Sequence, residues 1–147
     1  MESPNIPPPP AYTEDVPSAG GGERAGFGRR FVQYVIDAIL IGVGAAVIAA
    51  ALSMSQNGRS GVSLLFLIVY FTALEGARSQ TVGMQVMGLK VVDARTGGAI
   101  DYSRSFIRSL GRIVASILCA LGYLWVIWDK EKQGWHDKIA TTYVVRT

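Results

Sequence analysis

The chain has 147 residues, half of them hydrophobic, and a mean hydropathy of +0.30, which suits one domain but is too apolar for an ordinary soluble one. Its net charge of +3 comes from basic residues that flank apolar blocks rather than forming one dense patch, which argues against a nucleic-acid partner. A single cysteine, Cys119, excludes an internal disulfide, and a single histidine, His136, with no second ligand cluster, excludes a metal centre; no cofactor is implied.

Residues 1–25 read as a tail. All six prolines lie here, followed by Gly20 to Gly22, a composition that cannot bury a core. The expectation is disorder, with a short polyproline II stretch at "IPPPPAY" that serves as plain solvated chain or as a ligand for a proline-recognition module. Glu2, Glu14, Asp15 and Glu23 in the leading region, and Asp37 inside the apolar segment that follows, argue against a cleaved signal peptide. They also argue against reading "RRF" as a twin-arginine export signal.

No charged residue occurs over positions 38–58, 60–74 or 113–128. A membrane helix needs about 20 mostly apolar residues, so the first block qualifies outright and the others qualify with snorkelling flanks such as Arg112 and Asp129. Three buried helices of a soluble domain are the competing reading, but so small a soluble domain rarely holds such blocks. The first span is expected over residues 31–52. The polar turn "SMSQNGRSG" then leads to a second span over residues 62–77. Gly42, Ala46 and Ala50 form a small-residue ridge on the first span, a packing signal for an oligomer or a compact bundle.

"GLKVVDARTGGAIDYS" alternates, is rich in valine and turns at Thr96-Gly97-Gly98, so it reads as a short strand and a turn. In "SRSFIRSLGRIVASIL", Arg104, Arg108 and Arg112 recur every four residues along one side of a helix. Phe106, Ile107, Leu110, Ile113 and Val114 fill the other side. That is an interfacial amphipathic helix, its arginines expected at the cytoplasmic surface near anionic headgroups or inward carboxylates. Tyr123, Trp125 and Trp128 suit a membrane interface. The closing "ATTYVV" is again strand-like.

Of the 14 basic residues, three precede the first span, six follow the second and four close the chain; Arg59 alone lies between the first two spans. Placing both termini in the cytoplasm therefore fits the positive-inside rule. The lone strands "LKVVD" and "TYVV" agree, since each satisfies the other's backbone only on the same side. Residues 103–128 must then enter and return as a bent pair broken near Gly122, being too few for two full spans. A simple third crossing is the alternative. The resulting fold is an all-α membrane protein: a small transmembrane helix bundle, an interfacial amphipathic helix and a short two-strand cytoplasmic element, over residues 26–147.

Asp37 is the residue to explain. It shares a helix face with Arg30 and Gln33, at i, i+3 and i+7. A carboxylate facing lipid costs several kcal/mol, so it must face inward, with Arg30, the arginine row, Glu75 or Tyr70 as partner. A structural ion pair and a proton or cation site are both consistent with this.

The chain resembles the RDD family of small bacterial membrane proteins. Arg30 and Asp37 in "RRFVQYVID" match the family's first motif. Thr81, Gly83, Gly88, Leu89, Lys90, Val91, Val92 and Asp93 match its middle motif, and "QGWHDKIATTYVV", with His136 and Asp137, its closing one. Val82 stands where proline is common and Met84 where a basic residue is common, which implies a looser turn there. The resemblance implies a multi-pass protein of the cell membrane with a proposed role in transport of ions or other solutes. It makes Arg30, Asp37 and Asp137 the family-motif residues. An accessory membrane protein that binds partners through its cytoplasmic face or tail is the other reading. The expected partners are the lipid bilayer and further copies of the chain or other membrane proteins. No nucleophile–base pair or phosphate loop is present in the sequence, so an enzyme is not expected.

Overall fold

The computed structural model describes residues 22–118 and 121–147. The expected disordered tail falls outside the described residues as far as position 21, and Cys119 falls outside them too.

Two long helices dominate. α1 (Phe27–Ala51) and α2 (Gln56–Arg78) are apolar enough and long enough to cross a membrane. The short link between them makes them antiparallel neighbours. α1 buries one stripe, polar at its start (Arg30, Gln33, Asp37) and small or aliphatic beyond (Ile41, Ala45, Ala49). Gly44 is required there: a Cβ would lie 2.7 Å from the ring of Phe66 on α2. The ridge of Gly42, Ala46 and Ala50, by contrast, is exposed.

α2 ends at Ser79, whose φ of 56° is left-handed. α3 (Val82–Met87) follows, capped by the Thr81 hydroxyl, which accepts the Met84 N–H at 3.2 Å. It stops at Gly88, where φ of +62° favours glycine. β1 (Leu89–Asp93) pairs antiparallel with β2 (Thr142–Arg146), in register from Leu89 opposite Arg146 to Asp93 opposite Thr142. The pairing expected of "LKVVD" and "TYVV" therefore forms, and the turn at Thr96-Gly97-Gly98 is closed by the Gly97 N–H donating to Asp93 O at 2.8 Å.

The sheet ties residues 23–25 and the closing strand to the exit of α2. Beyond β2, the Ala25 N–H donates to Val144 O and the Arg146 N–H to Glu23 O, at 2.9 and 2.8 Å. Residues 23–25, at the end of the expected tail, are thus held against the sheet, with Ala25 fully buried. On the other edge the Val91 N–H donates to Ser79 O at 2.8 Å. Met84, Leu89, Val91, Ile100 and Val144 complete the small core beneath.

α4 (Tyr102–Ile117) is capped by Asp101, whose carboxylate accepts the Arg104 N–H at 2.9 Å. The helix is amphipathic as expected, but its polar side is the buried one. Ser105, Arg108, Ser109 and Arg112 face inward, while Phe106, Ile107, Leu110 and Val114 are exposed. Of the two settings expected for the row, anionic headgroups and inward carboxylates, Arg108 and Arg112 take the second and are buried rather than at the surface. In lipid, burying an apolar side chain against protein gains little over leaving it in hydrocarbon, whereas an exposed charge is costly. The hydrogen bonds and ion pairs between α4 and α2 all fall on Phe71, Thr72 and Glu75. α4 therefore crosses α2 near its C-terminal end.

Between α4 and the pair formed by α5 (Leu121–Leu124) and a 3-10 turn (Trp125–Ile127), the chain bends by 112°. α6 (Trp135–Ile139) then packs back on α4, where a Cβ at Gly111 would come within 3.0 Å of His136 Cα.

Candidate functional site

Five charged side chains from four helices meet in the interior: Arg30 of α1, Glu75 of α2, Arg108 and Arg112 of α4, and Asp137 of α6. None is more than 1% exposed. Asp137 accepts from Arg30 through one oxygen and from Arg108 through the other. Arg108 also donates from Nε to Glu75 at 3.0 Å, and Arg112 closes the chain of pairs on the other Glu75 oxygen. The spacing of four on α4 puts Arg108 and Arg112 on one face, so one glutamate holds both. Neutral groups take many of the remaining valences. Arg30 donates to Lys132 O at 3.1 Å and to the Tyr34 hydroxyl at 2.9 Å. Arg108 donates to the Thr142 hydroxyl at 2.6 Å. Asp137, in the first turn of α6, accepts the Gly134 N–H at 3.0 Å.

Three guanidinium groups face two carboxylates, a formal surplus of one positive charge. Arg30 Nε, Arg108 Nη2 and Arg112 Nε have no hydrogen-bond partner among the described residues. His136 sits against this surplus, its Nε2 3.1 Å from the Tyr34 hydroxyl. Burial, reinforced by Arg112, Arg108 and Arg30, outweighs the pull of Asp137 and keeps the imidazole neutral, its pKa well below the usual value. Burial alone would raise the Asp137 pKa. The charges of Arg30 and Arg108 and the Gly134 N–H outweigh it and hold the carboxyl far below the ordinary range.

Asp37 occupies a second, separate site. Its Oδ1 accepts from the Tyr70 hydroxyl at 2.7 Å and the Gly83 N–H at 2.8 Å. Its Oδ2 accepts from Gln33 Nε2 at 2.6 Å and the Thr81 hydroxyl at 2.7 Å. Two donors per oxygen hold the carboxylate with no cation among its partners. Arg30, expected to share this pocket, turns instead to Asp137. Seven helical residues separate Arg30 from Asp37 by about 10 Å along the axis, and α6 brings a nearer carboxylate. Asp37 thus clamps α1 to the turn that opens α3. Gly83 is required in that turn, since a Cβ would lie 2.5 Å from Gln33 O. With valine at position 82 in place of proline, the Val82 N–H, which proline lacks, donates to the Tyr70 hydroxyl at 3.3 Å.

Of the other residues singled out in the sequence, Asp93 pairs with Arg104 at 2.5 Å near the surface, away from both sites. Burial would raise the Asp93 pKa, but the Arg95 N–H and Arg104 outweigh it and lower it. Sequence reasoning missed Tyr34, which touches both Arg30 and His136, and Thr142. The one signal for Tyr34 was its place four residues after Arg30 and three before Asp37, on the same face.

The RDD family model matches residues 24–141 of the chain. The chain is 34% identical to the proline-rich antigen of Mycobacterium leprae (strain TN) over 77 residues, 52% of this chain and 31% of that protein. It is 33% identical to the proline-rich antigen homolog of Mycobacterium tuberculosis (strain CDC 1551 / Oshkosh) over 82 residues, 56% of this chain and 34% of that one. The matched segment thus spans about a third of the length of these relatives. It is also 29% identical to the uncharacterized membrane protein YteJ of Bacillus subtilis (strain 168), covering 82% of this chain and 80% of that protein. No solved structure matches the chain.

Proposed function

The chain belongs to the RDD family, and on that premise we propose that it is a multi-pass protein of the cell membrane, both termini cytoplasmic, serving as a structural or accessory membrane domain. α1 and α2 cross the bilayer. α4 lies in the cytoplasmic interface with Phe106, Leu110 and Val114 toward lipid, and α5 turns the chain back. Two observations support this placement. Residues 23–25, the exit of α2 and the closing strand are hydrogen-bonded together, hence on one side. Arg59 is the only basic residue at the opposite end, which makes the shared side cytoplasmic by the positive-inside rule.

One observation supports the structural reading. Each oxygen of Asp37, Glu75 and Asp137 accepts at least one protein donor, and all three carboxylates are buried. Every carboxylate oxygen is thus engaged by donors from neighbouring elements, which suits groups that hold helices together. Reconstituted vesicles test this. Proton and monovalent-cation flux should not exceed that of empty vesicles, and Asp37→Asn should lower stability. A flux that a folded Asp37→Asn protein loses would overturn the reading. A reporter fused at Thr147 that is active only in the periplasm would overturn the topology.

The transport reading keeps one supporting observation, the exposed ridge of Gly42, Ala46 and Ala50. Such a ridge favours close helix–helix approach between copies, and so few spans need an oligomer to line a path. Cysteine cross-linking along the ridge in native membranes tests for that assembly.

A further inference from the structure

A cleft of about 490 Å³ opens between α1, α2 and α5, walled chiefly by Phe27, Phe31, Tyr34, Ile41, Phe71 and Tyr123. We infer that it seats one acyl chain of an anionic phospholipid, with the phosphate held beside Lys130 and Lys132. The volume lies within the ~300–1,000 Å³ of small-molecule sites, and its walls are almost wholly apolar. The two tyrosine hydroxyls are already spent elsewhere. That of Tyr34 meets Arg30 and His136, and that of Tyr123 donates to Arg112 O at 3.3 Å. The rings remain to line the cleft, which suits hydrocarbon and excludes a polar solute.

Length and charge select the occupant. Lining residues run along α1 from Phe27 to Gly42, roughly 22 Å at 1.5 Å per residue. The hydrocarbon depth of one leaflet is about 15 Å, half of a ~30 Å core, so the cleft is long enough to take an acyl chain over that whole depth. Its Phe27 end lies one turn from Arg30, which holds the carbonyl of Lys132 at 3.1 Å. Lys130 and Lys132 are exposed on that loop, and Glu131 between them pairs with Arg24 at 2.8 Å, so the loop carries net positive charge near the start of α1. An ammonium near an anionic headgroup gains on the order of 1 kcal/mol, which chooses an anionic lipid over a zwitterionic one. The inference rests on the membrane placement, which alkaline extraction of native membranes tests independently.

The experiment uses the full chain, purified in mild detergent, stripped of lipid and offered phosphatidylglycerol and phosphatidylcholine of identical chains, with bound lipid read by native mass spectrometry. Wild type should retain phosphatidylglycerol at least about fivefold over phosphatidylcholine. Gly42→Leu fills the cleft, and a Cβ at Gly42 meets nothing within 4 Å, so the helix accepts it. It should lower retention about tenfold, the equivalent of displacing two buried CH₂ groups, with an unchanged elution profile. Lys130→Gln with Lys132→Gln leaves the cleft intact and should abolish the headgroup preference alone. Equal retention by wild type and Gly42→Leu would overturn the inference. So would equal retention of the two lipids by wild type, displacement by inorganic phosphate, or Gly42→Cys cross-links between copies in native membranes.

Discussion

Arg30 and Asp137, 107 positions apart in sequence, form an ion pair in which neither side chain is more than 1% exposed. The pair fastens the closing helix to the first one. Asp37, only seven residues from Arg30 and on the same face, shares no hydrogen-bond partner with it.

That separation is measurable by double-mutant cycles. Asp137→Asn leaves Arg30 and Arg108 without their shared carboxylate and should cost about 3–5 kcal/mol, the usual penalty for breaking a buried pair. Adding Arg30→Gln should recover part of the loss, giving a coupling above about 1 kcal/mol. Arg30→Gln with Asp37→Asn should instead be additive within about 0.5 kcal/mol. Unfolding in mixed micelles of increasing SDS fraction reads both, and the opposite ranking of couplings would mean that Arg30 serves Asp37 after all.

Asp37→Asn replaces an acceptor of four hydrogen bonds with a group that has one acceptor oxygen and an NH₂ donor. With the NH₂ in the Oδ1 place the Gly83 N–H loses its partner, and with it in the Oδ2 place Gln33 and Thr81 must turn to accept instead of donate. Each buried donor left unmet costs about 1–3 kcal/mol. Proteolysis should show the loss first at the α2–α3 turn, and an unchanged cleavage pattern there would count against the clamp.

Along the arginine row, the three positions should behave differently. Arg108→Gln and Arg112→Gln each strand part of Glu75 and should destabilise by about 3 kcal/mol or more. Arg104→Gln breaks a pair with Asp93 whose arginine side chain is 27% exposed, so its cost should stay below about 1 kcal/mol. Similar losses at all three would show that the row acts as one surface patch.

Acid should destabilise the protein through His136. Its pKa in the folded chain lies well below the usual 6.5, so only the unfolded chain takes up the proton as pH falls through that value. Stability is then fully present above about pH 6.5 and declines below it, by up to about 1.4 kcal/mol per pH unit. Asp137, also depressed, adds a second decline only below its ordinary value of 3.8. His136→Asn should flatten the profile between pH 7.5 and 5.5, and a mutant as acid-sensitive as wild type would remove His136 from the account.

Local pattern was sufficient for much of this architecture. Uncharged blocks located α1 and α2 because a bilayer sets the length of apolar sequence a helix needs. Alternation and turn residues located β1 and β2, and their unmet backbone groups required the pairing that forms. Periodicity also put Arg30, Gln33 and Asp37 on one buried face, since a charge there had to avoid lipid. It could not choose their partners. Arginine reaches across helices, and only the return of α6 brings Asp137 to Arg30, while only the turn at Thr81 and Gly83 brings four neutral donors to Asp37. Nor does an amphipathic pattern say which side faces inward. α4 turns its arginines to Glu75 and Asp137 and leaves its apolar side exposed, a choice set by where those carboxylates lie in three dimensions.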